Sequence, residues 1–153
     1  MNISQGWICD TCGSPIKESS DGRIEWLECN YNGCTGKGLR LVHHISASPH
    51  KDVFSHGCYT YTETPAQGLN DCELSEFLGS DGLMVLLSKL TNRELPVDEV
   101  VEMIKRLHIS GHEQARLHFV EAVSEGVFES SVDQGYYSQQ DIESVLEFVQ
   151  NKE

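Results

Sequence analysis

The sequence predicts an α+β protein, with a β-rich, metal-clamped module followed by a small helical bundle. Three observations carry this. Two cysteine pairs, Cys9 with Cys12 and Cys29 with Cys34, bracket strand-like runs within the first 45 residues. From about residue 73 the apolar residues recur at helical instead of strand period. Charge divides the same way: residues 1–62 hold five Lys/Arg against six acids, and residues 63–153 hold six against eighteen, for a net charge of −13. The expected division is 1–64 for the β-module and 65–153 for an acidic helical domain, with a linker near Thr64-Pro65.

Trp7 and Ile8 end a short strand that delivers Cys9. Gly13, directly after the second cysteine, suits the left-handed turn of a metal knuckle, and Ser14-Pro15 stops a helix from starting at the CxxC. The run Glu18–Gly22 (ESSDG) is a turn signal. Arg23 to Glu28 alternates polar and apolar, the mark of a half-buried strand. Gly38 to Ile45 is a further strand, placing Leu39, Leu41 and His43 on one face and Arg40, Val42 and His44 on the other. Residues 46–72 are rich in small polar residues, and Cys58 to Thr62 is the stretch in them that reads as one more strand.

Leu74, Phe77 and Leu78 form a short helical turn ending at Gly79. Ser80 caps a helix with Leu83, Leu86, Leu87 and Leu90 on one face. Pro96 opens a helix with Asp98 and Glu99 in its first turn, Lys105 and Arg106 in its last, and a stripe of Val97, Val100, Val101, Ile104 and Leu107. Ser110–Glu113 is a capping-box pattern opening a long helix through Ala115, Phe119, Val123 and Val127. Ser138–Asp141 repeats it before Ile142, Val145, Leu146 and Val149. Four such helices with short joins point to a bundle.

Zinc favours a tetrahedron of thiolate and imidazole ligands, and C-x2-C sets two sulfurs on one knuckle. Cys9, Cys12, Cys29 and Cys34 resemble the knuckle, hairpin and knuckle of a zinc ribbon over about residues 7–45, although the second pair is C-x4-C. A competing completion keeps Cys9 and Cys12 and adds His43 or His44 with Cys58. Neighbouring strand residues face opposite ways, so one histidine of the two should ligate. The chain is also similar to an uncharacterised bacterial protein type marked by CDTCG, a W-E-W strand, LVHH and a late C-Y. Here these match Cys9–Gly13, Glu25-Trp26, Leu41–His44 and Cys58-Tyr59. That likeness implies the His/Cys completion and no known activity.

Other chemistries find less support. A redox CxxC needs its first cysteine at a helix N-terminus, and strands follow here. Cys72 reads as a buried apolar thiol. Glu25 and Glu28 read as solvated strand residues, and His112 and Glu113 as surface or boundary residues, since His112-Glu113 does not continue to H-E-x-x-H. His50 and His56 read as ordinary loop residues. No phosphate-loop or deaminase signature occurs. Trp7, Trp26, Tyr31, Tyr59 and Tyr61 read as core residues beside the metal more than as base-stacking ones.

The expectation is therefore a structural Zn2+ protein acting as a protein-interaction or regulatory module with another protein as partner. A zinc-dependent hydrolase with an open coordination site is the second reading, and nucleic-acid binding by the ribbon a weaker third, since an acidic surface repels phosphate. No run of eighteen apolar residues occurs and no secretory leader is visible, so a cytoplasmic location away from membranes is expected. The sequence fixes no oligomeric state.

Overall fold

The computed structural model describes residues 6–29, 35–53, 55–61, 68–129 and 135–153. Among the described residues, five strands form two antiparallel sheets, and five α-helices follow them. Strands β1 (Trp7–Ile8) and β2 (Pro15–Ile16) make a two-stranded sheet. Strands β3 (Gly22–Leu27), β4 (Lys37–His43) and β5 (Leu69–Glu73) make a three-stranded sheet in the order β4-β3-β5. The helices are α1 (Gly79–Thr91), α2 (Val97–His108), α3 (His112–Ala115), α4 (Phe119–Ser124) and α5 (Gln139–Asn151). No helix among the described residues is long and apolar enough to cross a membrane. The chain is thus α+β, with strands mostly N-terminal and helices C-terminal.

Two compact units divide at 108/109: one spans Gln5–His108 and the other takes in Ile109–Glu153. The sequence boundary at 64/65 falls among residues 62–67, outside the described residues. In the first unit, β3 is the central strand. Its alternation buries Ile24 and Trp26, and Glu25 is buried as well, so both faces of the sheet are covered. Ile16, Leu41, Val42, Leu74, Phe77, Leu86, Leu95, Val100 and Met103 join them in one core. Trp26 stacks on Phe77 with ring centroids 6.0 Å apart.

Several elements differ from expectation for identifiable reasons. The third strand of the sheet is β5, with the sequence Leu-Asn-Asp-Cys-Glu, and not the run from Cys58, whose described residues to Tyr61 form turn and coil. β5 pairs with β3 from Arg23↔Glu73 to Leu27↔Leu69, and Arg23 clamps it by ion pairs to Asp71 (3.0 Å) and Glu73 (2.6 Å). Helix α1 starts one residue before Ser80, with Leu78 as its N-cap. Its Leu87 is 39% exposed, which narrows the expected leucine face.

Helix α2 starts after Pro96 as expected, but is turned about its axis: Val100, Met103 and Arg106 are buried, while Val97 is 57% exposed. At its other end, Glu99 accepts the Gly38 and Leu39 N–H groups at 2.7 and 2.8 Å.

In the second unit, the expected long helix is broken. Gly111 takes the left-handed conformation (φ +78) as N-cap of α3, and Ser110 makes no capping box. Glu113 is buried and its carboxylate accepts from Arg116 Nε at 3.0 Å, which takes it away from the capping role. α4 then starts anew at Phe119. The second capping box forms as read: Ser138 Oγ accepts from Asp141 N (3.1 Å), and Ser138 N donates to the Asp141 carboxylate (3.2 Å). Ala115, Phe119, Ala122, Ile142, Val145 and Leu146 form a separate core. Phe119 stacks on Tyr137 at 3.9 Å, and Phe128 meets the same ring edge-on.

Candidate metal centre

The first unit gathers four metal-ligating side chains from three places. β1 delivers Cys9, and a tight turn brings Cys12 beside it. Gly13 N donates to Cys9 O (2.9 Å), and Cys9 N donates to Ser14 O (3.1 Å). Gly13 closes this turn at φ +74, where glycine is at home and side chains are strained. His43 is the last residue of β4. Cys58 comes from the irregular segment after the second sheet strand, where Thr11 Oγ1 fastens it by donating to its carbonyl at 2.6 Å.

The ligand atoms of Cys9, Cys12, His43 and Cys58 all lie within 4.8 Å of one another. His43 Nδ1 stands 3.5 Å from Cys12 Sγ and 3.7 Å from Cys58 Sγ. Its Nε2 lies 3.0 Å from the Pro15 carbonyl, which can only accept, so Nε2 carries the proton and Nδ1 turns its lone pair toward the sulfurs. Cys9, His43 and Cys58 are buried and Cys12 is half-buried. Ser48 Oγ, itself buried, sits 3.0 Å from Cys58 Sγ. Cys9, Cys12, His43 and Cys58 can hold a metal ion.

Thiol acidities follow from these surroundings. Burial raises Cys12, but hydrogen bonds from the Ser14 backbone and side chain and from the Cys9 and Cys58 thiols outweigh it and bring it below its ordinary value. Burial pushes Cys58 up to about 12, with the neighbouring Cys9 and Cys12 sulfurs adding to the shift and Ser48 opposing it. Three sulfurs crowded together in a low-dielectric pocket cannot all ionise without a cation.

The set is the second completion read from the sequence. His43 points into the cluster, as strand alternation requires. His44 points away, with Nδ1 3.0 Å from Ser46 Oγ. Cys29 is half-buried, disulfide-bonded and outside the cluster, and Cys34 lies outside the described residues. Neither family models nor curated proteins nor solved structures give a counterpart.

Two readings need correction. Glu25 is 3% exposed instead of solvated, and accepts the Thr60 N–H at 2.8 Å. His112 and Glu113 are 4% and 2% exposed, built into the second core instead of lying at the surface. Glu28 is exposed as expected. Cys72 is a free thiol on β5, half-buried, and burial raises it to about 12. Residues 10–12 form a turn with no helix after it, so Cys9 lacks the helix N-terminus that redox CxxC chemistry uses. The aromatic residues serve the fold: Trp26 is buried, Tyr59 Oη accepts from Ile45 N, and Tyr61 Oη donates to Gly38 O. Tyr31 lies outside the described residues.

Sequence reading missed the residues around the ligands. Asp10, inside the CDTCG motif, accepts Leu41 N at 2.8 Å and Arg106 Nη1 at 2.9 Å through one carboxylate oxygen. Its place between two cysteines was the available signal. Arg106 and Ser48 carry no local signal at all.

Proposed function

We propose that Cys9, Cys12, His43 and Cys58 hold one Zn2+ in a closed, structural site, and that the protein acts as an interaction or regulatory module. The observation that carries this reading is the spacing of the donors. Tetrahedral zinc, with bonds of about 2.3 Å to sulfur and about 2.0–2.1 Å to imidazole, sets those atoms about 3.6 Å apart. The two His43 Nδ1–sulfur distances of 3.5 and 3.7 Å bracket that value. Three thiolates and one imidazole suit zinc above harder cations. They fill the tetrahedron, which leaves a hydrolytic water no coordination position.

The module is zinc-ribbon-like in its first knuckle and hairpin, with His43 and Cys58 in place of a second cysteine pair. His43 falls in the LVHH and Cys58 in the C-Y of the bacterial pattern, so the reading agrees with the completion that likeness implies. The partner in this reading is another protein, met by the acidic helices. α1 offers Met84, Val85 and Leu87 to solvent, and the second unit offers Leu117, Val120 and Val123.

The test is metal content with single substitutions. The purified protein should hold one zinc per chain, and His43→Ala and Cys58→Ser should release it while His44→Ala and Cys29→Ser retain it. A folded, metal-free protein indifferent to EDTA would overturn the reading.

A further inference from the structure

We infer that Arg106 is a positioning residue of the metal centre, so that its grip on Ile8 and Asp10 and the affinity for zinc are linked. This rests on the zinc reading above. Arg106 stands in the last turn of α2, where an arginine is ordinarily solvated, yet only 7% of it is exposed. Its guanidinium grips both neighbours of one ligand: Nη2 donates to the Ile8 carbonyl at 3.0 Å, and Nη1 donates to the Asp10 carboxylate at 2.9 Å. Cys9 lies between them, so its backbone is fixed from either side.

The same Asp10 oxygen accepts Leu41 N at 2.8 Å, while Asp10 N donates to Leu41 O at 2.8 Å. Leu41 is two residues before His43 on β4. A single carboxylate thus joins the strand bearing the histidine to the knuckle bearing two cysteines, and Arg106 locks that joint from the helix. Partners one shell out from a metal fix ligand geometry before the ion arrives, and losing them weakens affinity about tenfold to a hundredfold. Linkage is reciprocal, so zinc must in turn tighten the grip of Arg106 on Ile8 and Asp10.

Glu99 supplies an internal control. It fastens the same helix to Gly38 and Leu39 at the start of β4 rather than to Ile8 or Asp10. Zinc affinity of the full chain should be measured by chelator competition for the unsubstituted protein, Arg106→Met, Arg106→Lys, Asp10→Asn, the Asp10→Asn/Arg106→Met pair and Glu99→Gln. Arg106→Met should bind about tenfold to a hundredfold more weakly, and Arg106→Lys, which keeps the charge and loses the fork, should fall between. The double variant should be little worse than either single one. Glu99→Gln should lose stability in urea with affinity unchanged, and cobalt-loaded samples should show shifted d–d bands for the Arg106 and Asp10 variants and none for Glu99→Gln.

Unchanged affinity and cobalt spectrum in a folded Arg106 variant would overturn the inference, as would an equal loss in Glu99→Gln. If Arg106→Met does not fold, Arg106→Lys and Asp10→Asn decide by the same criteria. An unsubstituted protein that binds no zinc would overturn the metal reading first, and this inference with it.

Discussion

The two units of this chain solve the problem of small size differently. The unit spanning Gln5–His108 places polar groups deep inside: Glu25, His43, Ser48 and Arg106 are buried beside Cys9 and Cys58. The unit holding Ile109–Glu153 is built on apolar contact, with Phe119, Ile142, Val145 and Leu146 around an aromatic stack. A small domain buries too little surface to be secure on apolar area alone. A cation joining four donors can replace missing core, because each ligand bond it makes exists only in the folded chain. In the proposed reading the buried donors of the first unit hold a metal, whereas in the second unit the buried Glu113 accepts from Arg116 and His112 lies against the Phe119 ring.

Stripping the metal should break the comparison most strongly. Structural zinc contributes on the order of 10 kcal/mol or more of apparent binding free energy. Chelation should therefore unfold the sheet and leave the α3–α5 helical signal in place, read residue by residue by NMR. Loss of both units together, or of neither, would contradict it. The converse substitution is Phe119→Ala, which removes a ring that is 5% exposed and stacked on Tyr137. It should destabilise the second unit by about 3–5 kcal/mol, with zinc content unchanged by elemental analysis.

Alkaline pH sharpens the contrast within the first unit. Cys58 and Cys72 are both raised from 9.0 to about 12 in the fold. A raised thiol favours its protonated form in the folded state, so its contribution is present below pH 9 and is lost as pH climbs toward 12. The first unit is folded only with its metal in this account, so the window is read on the zinc-loaded chain. With zinc bound, Cys58 is already a ligand, and the remaining loss should disappear in Cys72→Ala. Urea midpoints at pH 8, 9.5 and 11 read this directly. Zinc binding near neutral pH should also release protons into a weakly buffered solution. The smallest expected effect is Ser138→Ala. Loss of that cap should cost about 1 kcal/mol in the second unit and nothing in metal affinity.

What could be read in advance tracks how local each signal is. Cys9, Cys12 and Gly13 form a knuckle within five residues, and strand alternation says that one of His43 and His44 faces the site without saying which. The Ser138 cap is equally local, and it formed as read. Cys58 was a lone cysteine in an irregular segment, placed by tertiary contacts such as that from Thr11. β5 has no apolar alternation, and it is a strand because the open edge of β3 and the charges of Arg23 recruit it. Arg106 looked like a last-turn surface cation, and its inward turn also rotated the buried face of α2. Glu113 matched a capping box in sequence and met Arg116 instead.

X-ray absorption at the zinc edge of the native, metal-loaded protein tests the central claim most directly. Three sulfurs at about 2.3 Å and one nitrogen at about 2.0–2.1 Å, with no oxygen, are the predicted shell. Four sulfurs would restore Cys29 and Cys34 as ligands, an oxygen in the shell would make the site open, and either result would contradict the closed site of Cys9, Cys12, His43 and Cys58.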